Sequence, residues 1–272
     1  MSRDAEEIRR ILNNDRLRVE TFPEVASTNG LLLSRGAAGE AEGLILTADR
    51  QSAGRGRSGR SFFSPDGAGI YTSILLRPKL TMKQIEKLTP LAAVAVCEVL
   101  EEIAGFRLQI KWVNDVYRDG RKICGILAQT APTFSAGIPD YVVMGIGIDL
   151  FPPQGGFPQE IRNVAGSLFR EPEEVETYRS DPRIREKIIG RLWKRFYELY
   201  QDPDDASCVE AYRAHMMFLG EEIVAYDGAA EASERTAKLN GLTDDYALLL
   251  QFEGEDAPTT VRTGEIRIRR RL

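Results

Sequence analysis

The sequence predicts an α+β fold, with a helix-packed sheet in the larger part and a small C-terminal β-barrel or sandwich. Three observations lead there. Tyr141–Leu150 (YVVMGIGIDL) is nearly all apolar, which suits a central strand covered on both faces. Ile85, Leu88, Leu91, Ala92, Ala95, Val96, Val99, Leu100 and Ile103 recur at helical spacing and form one broad apolar face, the mark of a core helix. After Gly220 the chain breaks into short β-prone segments separated by Gly, Asp and Asn. The domains are therefore expected at 1–219 and 220–272, with the boundary near Leu219.

Composition narrows the class of protein. A length of 272 residues allows one large domain and one small one, and 43% hydrophobic with 28% charged residues is ordinary for a soluble globular chain. A net charge of −5 argues against non-specific nucleic-acid binding, which needs many uncompensated Lys and Arg. The start, MSRDAEEIRR, has no apolar core and is no signal peptide, and no apolar run reaches the ~18 residues of a membrane span. Cys97, Cys124 and Cys208 are widely spaced and read as reduced thiols of a cytoplasmic protein. The single histidine, His215, leaves little scope for histidine metal sites or triads.

In chain order, Ala5–Leu12 reads as a short helix and Arg18–Phe22 as a strand ended by Pro23. Ser27 or Thr28 caps a helix that Gly36 stops. Gly43–Ala48 and Ile70–Leu76 are strands on either side of a glycine-arginine loop. Thr81 and Gln84 form a capping box before the core helix. Leu108–Trp112 alternates, with Leu108, Ile110 and Trp112 on one face and Gln109 and Lys111 on the other. Asp119-Gly120 is a hairpin turn joining Val116–Arg118 to Lys122–Thr130. Pro132–Pro139 reads as a loop, and 151–180 as an irregular connection with at most a short helix at Ala165–Phe169. Asp181-Pro182 then starts an amphipathic helix, and a second helix covers about Asp205–Met216. The final short strands are Glu222–Tyr226, Ser233–Leu242, Ala247–Phe252, Pro258–Arg262 and Glu265–Arg269, and the run Arg269–Arg271 reads as a solvated tail, with a ligand or partner contact as the alternative.

Two stretches carry chemistry. The loop Gln51–Pro65, QSAGRGRSGRSFFSP, combines Gly54, Gly56 and Gly59, which allow positive φ and close ligand approach, with Arg55, Arg57 and Arg60, whose guanidinium forks suit carboxylate or phosphate oxygens. Alone, it also fits a solvated basic turn or an Arg-Gly nucleic-acid contact. The strand 141–150 has a bulky face and a bare one, where Gly145 and Gly147 leave room against the backbone, and Gly125 opens a similar gap. Either a closely packed neighbouring strand or a ligand fills such a gap.

Taken together, Ser27-Thr28-Asn29, the Gln51–Pro65 loop, GIYTS at 69–73, KWVND at 111–115, CGIL at 124–127, GIGID at 145–149 and the terminal GEIRIR at 264–269 resemble the biotin protein ligase family from about Arg18 onward. The resemblance implies a mixed sheet flanked by helices, related to the class II aminoacyl-tRNA synthetase core, and a C-terminal Src-homology-3-like β-barrel. It implies ATP-dependent activation of biotin as biotinyl-5′-adenylate, with Mg²⁺ on the phosphates. Transfer to a lysine of a biotin carboxyl carrier protein, in acetyl-CoA carboxylase or a related carboxylase, would follow.

Residue by residue, Ser27, Thr28, Asn29 and Gln51 match the surroundings of biotin's ureido ring. Gly54, Arg55, Gly56 and Arg57 match the loop that orders over the adenylate. Lys111 matches a lysine near carboxylate and phosphate, and Asn114 of KWVND joins the ligand contacts. Gly125, Gly145 and Gly147 match strands beside biotin, and Phe62 stands where Trp is common, near adenine. Lys111, Arg57 and Arg55 are the expected catalytic groups, with no metal-ligating side chains. Val113 replaces the usual Pro, Gln129 a common Glu, and Asp149, also a nucleotide contact by position, the usual Asn. The ~17 residues before the first strand are too few for the DNA-binding domain many relatives carry, so no specific DNA binding is expected. No membrane partner is expected, and a homodimer is admissible. A lipoate or octanoyl ligase of the same fold, or a non-catalytic biotin-binding module, are the alternatives.

Overall fold

The computed structural model describes residues 5–135, 137–226, 234–262 and 267–270. Its elements are α1 (Ala5–Leu12), β1 (Arg18–Val25), α2 (Thr28–Ala37), β2 (Leu44–Gln51), β3 (Gly69–Leu76), α3 (Met82–Ala104), β4 (Gln109–Lys111), β5 (Asp115–Arg118), β6 (Arg121–Thr130), β7 (Phe134–Ser135), β8 (Ile138–Pro139) and β9 (Val142–Asp149). They continue as α4 (Pro172–Arg179), α5 (Ile184–Gln201), α6 (Ala206–His215), β10 (Glu222–Tyr226), β11 (Glu234–Leu242), β12 (Leu248–Phe252), β13 (Thr259–Val261) and β14 (Arg267–Arg270).

Seven strands form one mixed sheet in the order β1-β2-β3-β9-β6-β5-β4, in which only β1 and β2 run parallel. The α+β expectation therefore holds. The apolar run expected as a central strand is β9, the middle strand of the seven, buried between β3 and β6. Its Val142, Met144, Ile146 and Ile148 join α3 and α5 in the main core. Trp193 of α5 is fully buried and its indole N–H donates to Thr72 Oγ1 of β3 at 2.8 Å, so a large apolar side chain is seated without an orphaned donor. Cutting it to alanine should cost ~3–5 kcal/mol.

Local chemistry sets the element ends. Thr81 and Gln84 form the capping box of α3, and Gly105 (φ 77°) closes it in the left-handed region. Asp119 (φ 46°) and Gly120 (φ 74°) make the two-residue hairpin between β5 and β6. On the other face of the sheet, α2 covers only one end, through Leu32 against Leu44, Leu46, Leu75 and Val143. Asn29 at the start of α2 reaches Gly145, while Gly125 and Gly147 lie under the Phe62 ring, and this half holds the site.

Several expectations are corrected. The C-terminal strands are where the spacing placed them, but they form an open five-stranded sheet, β13-β12-β11-β10-β14, and not a closed Src-homology-3-like barrel. Closure needs the end strands to exchange hydrogen bonds, whereas among the described residues the three-residue β13 pairs only with β12 and β14 only with β10. A helix appears at Pro172–Arg179 and not at Ala165–Phe169, because Glu171 and Glu174 make a reciprocal cap with Pro172 in the first turn. Segment 165–169 instead lies along the end of β9, with Leu168 N–H donating to Asp149 O at 2.8 Å. The helix after Asp181-Pro182 begins at Ile184. Gly36 lies inside α2, where a Cβ would meet the Tyr141 ring at 2.7 Å, and the helix runs on to Ala37. The 132–139 stretch contains the small β7–β8 hairpin. Arg269 and Arg270 pair with β10 as part of β14, so they are no tail; Arg271 and positions 264–266 of the GEIRIR motif lie outside the described residues.

The two sheets meet at β4. Met217 N–H donates to Ile110 O at 2.9 Å, and the Trp112 indole donates to Tyr246 O, in the β11–β12 turn, at 2.8 Å. Hydrophobic residues of β10, β11 and β12 continue the main core.

Candidate active site

A hydrogen-bonded line of side chains crosses the floor of this half of the sheet. Asn29 Nδ2 donates to Gln129 Oε1 at 3.0 Å, while Asn29 Oδ1 accepts from Ser73 Oγ at 2.6 Å. With its proton so used, Ser73 accepts from Thr28 Oγ1, also at 2.6 Å. Thr28 N–H donates to Gln51 Oε1 at 2.9 Å. Gln51 Nε2 donates to Ser64 Oγ at 3.0 Å, and Ser64 Oγ donates to Phe62 O at 3.0 Å, reaching the base of the glycine-arginine loop. Asn29, Thr28 and Ser73 are buried, so the amide and hydroxyl groups are held in fixed orientations. Ser27 stands apart: its Oγ accepts from Gly30 N–H at 3.3 Å and caps α2.

The glycines are explained mostly by room. A Cβ on Gly145 would meet Asn29 Oδ1 at 1.9 Å, and one on Gly147 would meet the Phe62 ring at 2.5 Å. A Cβ on Gly125 would meet that ring at 3.1 Å and the end of Lys122 at 3.3 Å. The Phe62 ring thus lies over the bare strip, edge to face with Tyr71 at 6.4 Å between centroids. In the loop, Gly54 is needed because a Cβ would lie 2.4 Å from Phe62 O. Positive φ, expected at three glycines, occurs only at Gly59 (73°), next to Ser58 at 55°. The loop closes on itself, with Gly56 N–H donating to Arg60 O at 2.7 Å and Phe62 N–H to Gly54 O at 2.9 Å.

The cationic groups line one side. Arg57 Nη1 donates to Asn114 Oδ1 at 2.9 Å, tying the loop to KWVND, and Asn114 Nδ2 donates to Ile126 O at 2.9 Å. The Trp112–Val113 peptide of this motif is cis. Lys111 lies over the Tyr117 ring, 5.8 Å from its centroid. Burial pulls its ammonium below the ordinary lysine value; Asp115 opposes this, and Lys122 and Arg60 add to it. Arg55 is exposed, with its guanidinium near the start of α2, 3.9 Å from a Cβ built on Gly30. Asp149 is buried at the end of the strip, and burial pushes its carboxyl well above the ordinary Asp value against the pull of Lys122.

Ser64, Ser73, Asp115 and Lys122 belong to this constellation and were not singled out by sequence. Lys122 Nζ pairs with Asp115 Oδ1 at 2.6 Å. Among the described residues no cluster of three His, Cys, Asp or Glu could hold a metal. Two surface grooves of ≈ 340 and ≈ 430 Å³ lie along α5, one mainly against α3 and the other mainly against α1, lined mostly by charged residues of both signs, and share no residue with this constellation.

Residues 22–149, which hold every residue of the constellation from Ser27 to Asp149, match the Biotin/lipoate A/B protein ligase family. The chain is 31% identical over 230 residues to the biotin–acetyl-CoA-carboxylase ligase of Paracoccus denitrificans, covering 83% of this chain and 90% of that protein. It is 40% identical over 127 residues to the bifunctional ligase/repressor BirA of Bacillus subtilis (strain 168), covering 47% of this chain but only 38% of that protein. The matched part thus spans well under half the length of the BirA relatives. The biotin protein ligase of Aquifex aeolicus, in complex with biotin and ATP, superposes with a TM-score of 0.72 at 29% identity, covering 95% of this chain and 100% of that one. The near end-to-end match to the Paracoccus ligase, on a chain with this site, places the protein in the biotin protein ligase family.

Proposed function

We propose that the protein is an ATP-dependent biotin ligase, which makes biotinyl-5′-AMP and passes the biotinyl group to a lysine of a biotin carboxyl carrier protein. The observation that supports this most is the fixed line Gln129–Asn29–Ser73–Thr28–Gln51 lying beside a cationic flank, on a fold shared with a ligase solved with biotin and ATP. A neutral ring that both donates and accepts suits the amide and hydroxyl groups, and two anions that must meet suit the flank.

In the first step a biotin carboxylate oxygen attacks the α-phosphorus and pyrophosphate leaves. Both reactants are anions, so holding them together and neutralising charge are the main demands on the protein. Lys111 and Lys122 face that space from β4 and β6, and Arg55, Arg57 and Arg60 from the loop. In the second step the carrier amine attacks the acyl carbon, AMP leaves, and the amine loses a proton. Arg57 bound to Asn114 keeps the loop closed over the mixed anhydride until then. The described residues offer no carboxylate cage for Mg²⁺, so the ion would arrive on the ATP phosphates and supply charge neutralisation there.

The expected setting is the cytoplasm, in keeping with three free cysteines. Among the described residues no helix is long and apolar enough to cross a membrane. A gel shift checks the expected absence of operator binding, and sedimentation checks for a homodimer. The deciding experiment is release of pyrophosphate from ATP with biotin or lipoate and Mg²⁺. Biotin-dependent release is expected; release with lipoate alone would assign the site to the lipoate branch.

A further inference from the structure

We propose that Trp112 is a positioning residue for Lys111, held in place by the backbone carbonyl of Tyr246 in the C-terminal sheet. This rests on the ligase reading above, in which Lys111 neutralises charge at the reacting groups. Lys111 sits on a three-residue strand at the edge of the main sheet, paired on the inner side only with β5. An edge strand this short has few hydrogen bonds with which to fix a side chain. Its outer side is clamped instead by the C-terminal part of the chain. Met217 N–H binds Ile110 O on one flank of Lys111, and Tyr246 O binds the Trp112 indole on the other.

Ile110 and Trp112 are buried away from the site, and Lys111, between them, faces it. Tyr246 is itself rigid. It occupies the left-handed region (φ 61°) in a turn closed by Tyr246 N–H to Thr243 O at 3.0 Å and Thr243 N–H to Ala247 O at 2.9 Å. Its ring packs edge-on against Tyr212 of α6 at 5.4 Å between centroids. The acceptor is therefore fixed by the small sheet and by α6 together, and the indole N–H transmits that position to the strand that carries the lysine. The C-terminal sheet acts on catalysis here through a strand it holds, without touching the substrates.

The test is a double-mutant cycle on biotin-dependent pyrophosphate release. Trp112→Phe keeps an aromatic ring and removes the N–H. A lysine displaced by a fraction of an ångström should lower kcat about tenfold while KM for biotin, set by the Asn29–Gln51 line, stays within about twofold. In the Lys111→Ala background Trp112→Phe should have no further effect, because the group it positions is gone. Benzothienylalanine at 112, with sulfur in place of N–H and nearly the same volume, should repeat the result with the melting temperature preserved. A silent Trp112→Phe, or an equal loss with and without Lys111, overturns the proposal. A wild-type protein that releases no pyrophosphate from biotin and ATP counts instead against the ligase reading.

Discussion

Asn29 stands directly on Gly145: a Cβ added to the glycine would lie 1.9 Å from the asparagine Oδ1. Asn29 is buried and engaged by Ser73 and Gln129, so it has nowhere to retreat without breaking both contacts. Gly145→Ala should therefore weaken biotin binding about 10- to 100-fold, the cost of one or two misplaced buried hydrogen bonds. Isothermal titration with biotin checks this, and affinity within about twofold of wild type would falsify the assignment of Asn29 to the biotin floor. Gly147→Ala meets the rotatable Phe62 ring and should be milder.

Arg57 ties the loop to Asn114. Arg57→Gly removes that tie while the floor of the site stays intact. Adenylate should still form but escape at least about tenfold faster, as expected when one charge-assisted contact of ~1.5–3 kcal/mol is lost. Stopped-flow release, or biotinylation of bystander lysines in a mixed lysate, reports the leak. Release as slow as in wild type would mean the loop is no lid.

Lys111→Ala should lower adenylate formation by roughly 10²–10³, the usual effect of deleting one preorganised group at a developing charge. The pH profile gives a second check. Burial lowers the Lys111 value below its ordinary 10.5, and the active form is the ammonium. The rate should thus fall as pH rises through that depressed value, earlier than for an exposed lysine. Lys111→Arg, always charged, should lose this alkaline limb even if its rate is lower.

Asp149 predicts a stability effect of definite sign. Its folded value is raised by burial above the unfolded one, so its favourable contribution is complete below the unfolded value and is lost as pH rises through the folded value. Asp149→Asn should remove that loss. Melting temperatures of the variant should gain on wild type as pH rises above the ordinary Asp value and converge in acid. Parallel curves would show that burial does not shift the Asp149 carboxyl.

Much of this was legible in sequence because it depends on local rules. The capping box at Thr81, the Asp119-Gly120 turn and the two faces of β9 each follow from a few neighbouring residues. Lys122 was not legible. Strict alternation puts it on the core face with Cys124 and Ile126, but a register shift at Val116/Tyr117 sets it opposite Tyr117 and on the site face with Gly125. Nor was the open C-terminal sheet, since strand positions do not say whether the first and last strands pair. Ser73 and Ser64 read as ordinary strand and loop serines; only the fold brings them to Asn29, Thr28 and Gln51.

The register shift in β6 is what keeps Lys122 off the core face, and Ile123 is the extra residue that makes it. Pairing without the shift would turn the Lys122 ammonium into the apolar layer beside Cys124 and Ile126 and leave Asp115 without its cation. Deleting Ile123 would remove the extra residue and keep Lys122 on the site face with Gly125. A relative one residue shorter between the Asp119-Gly120 turn and Gly125 should therefore still present its lysine to the site, on an unshifted strand.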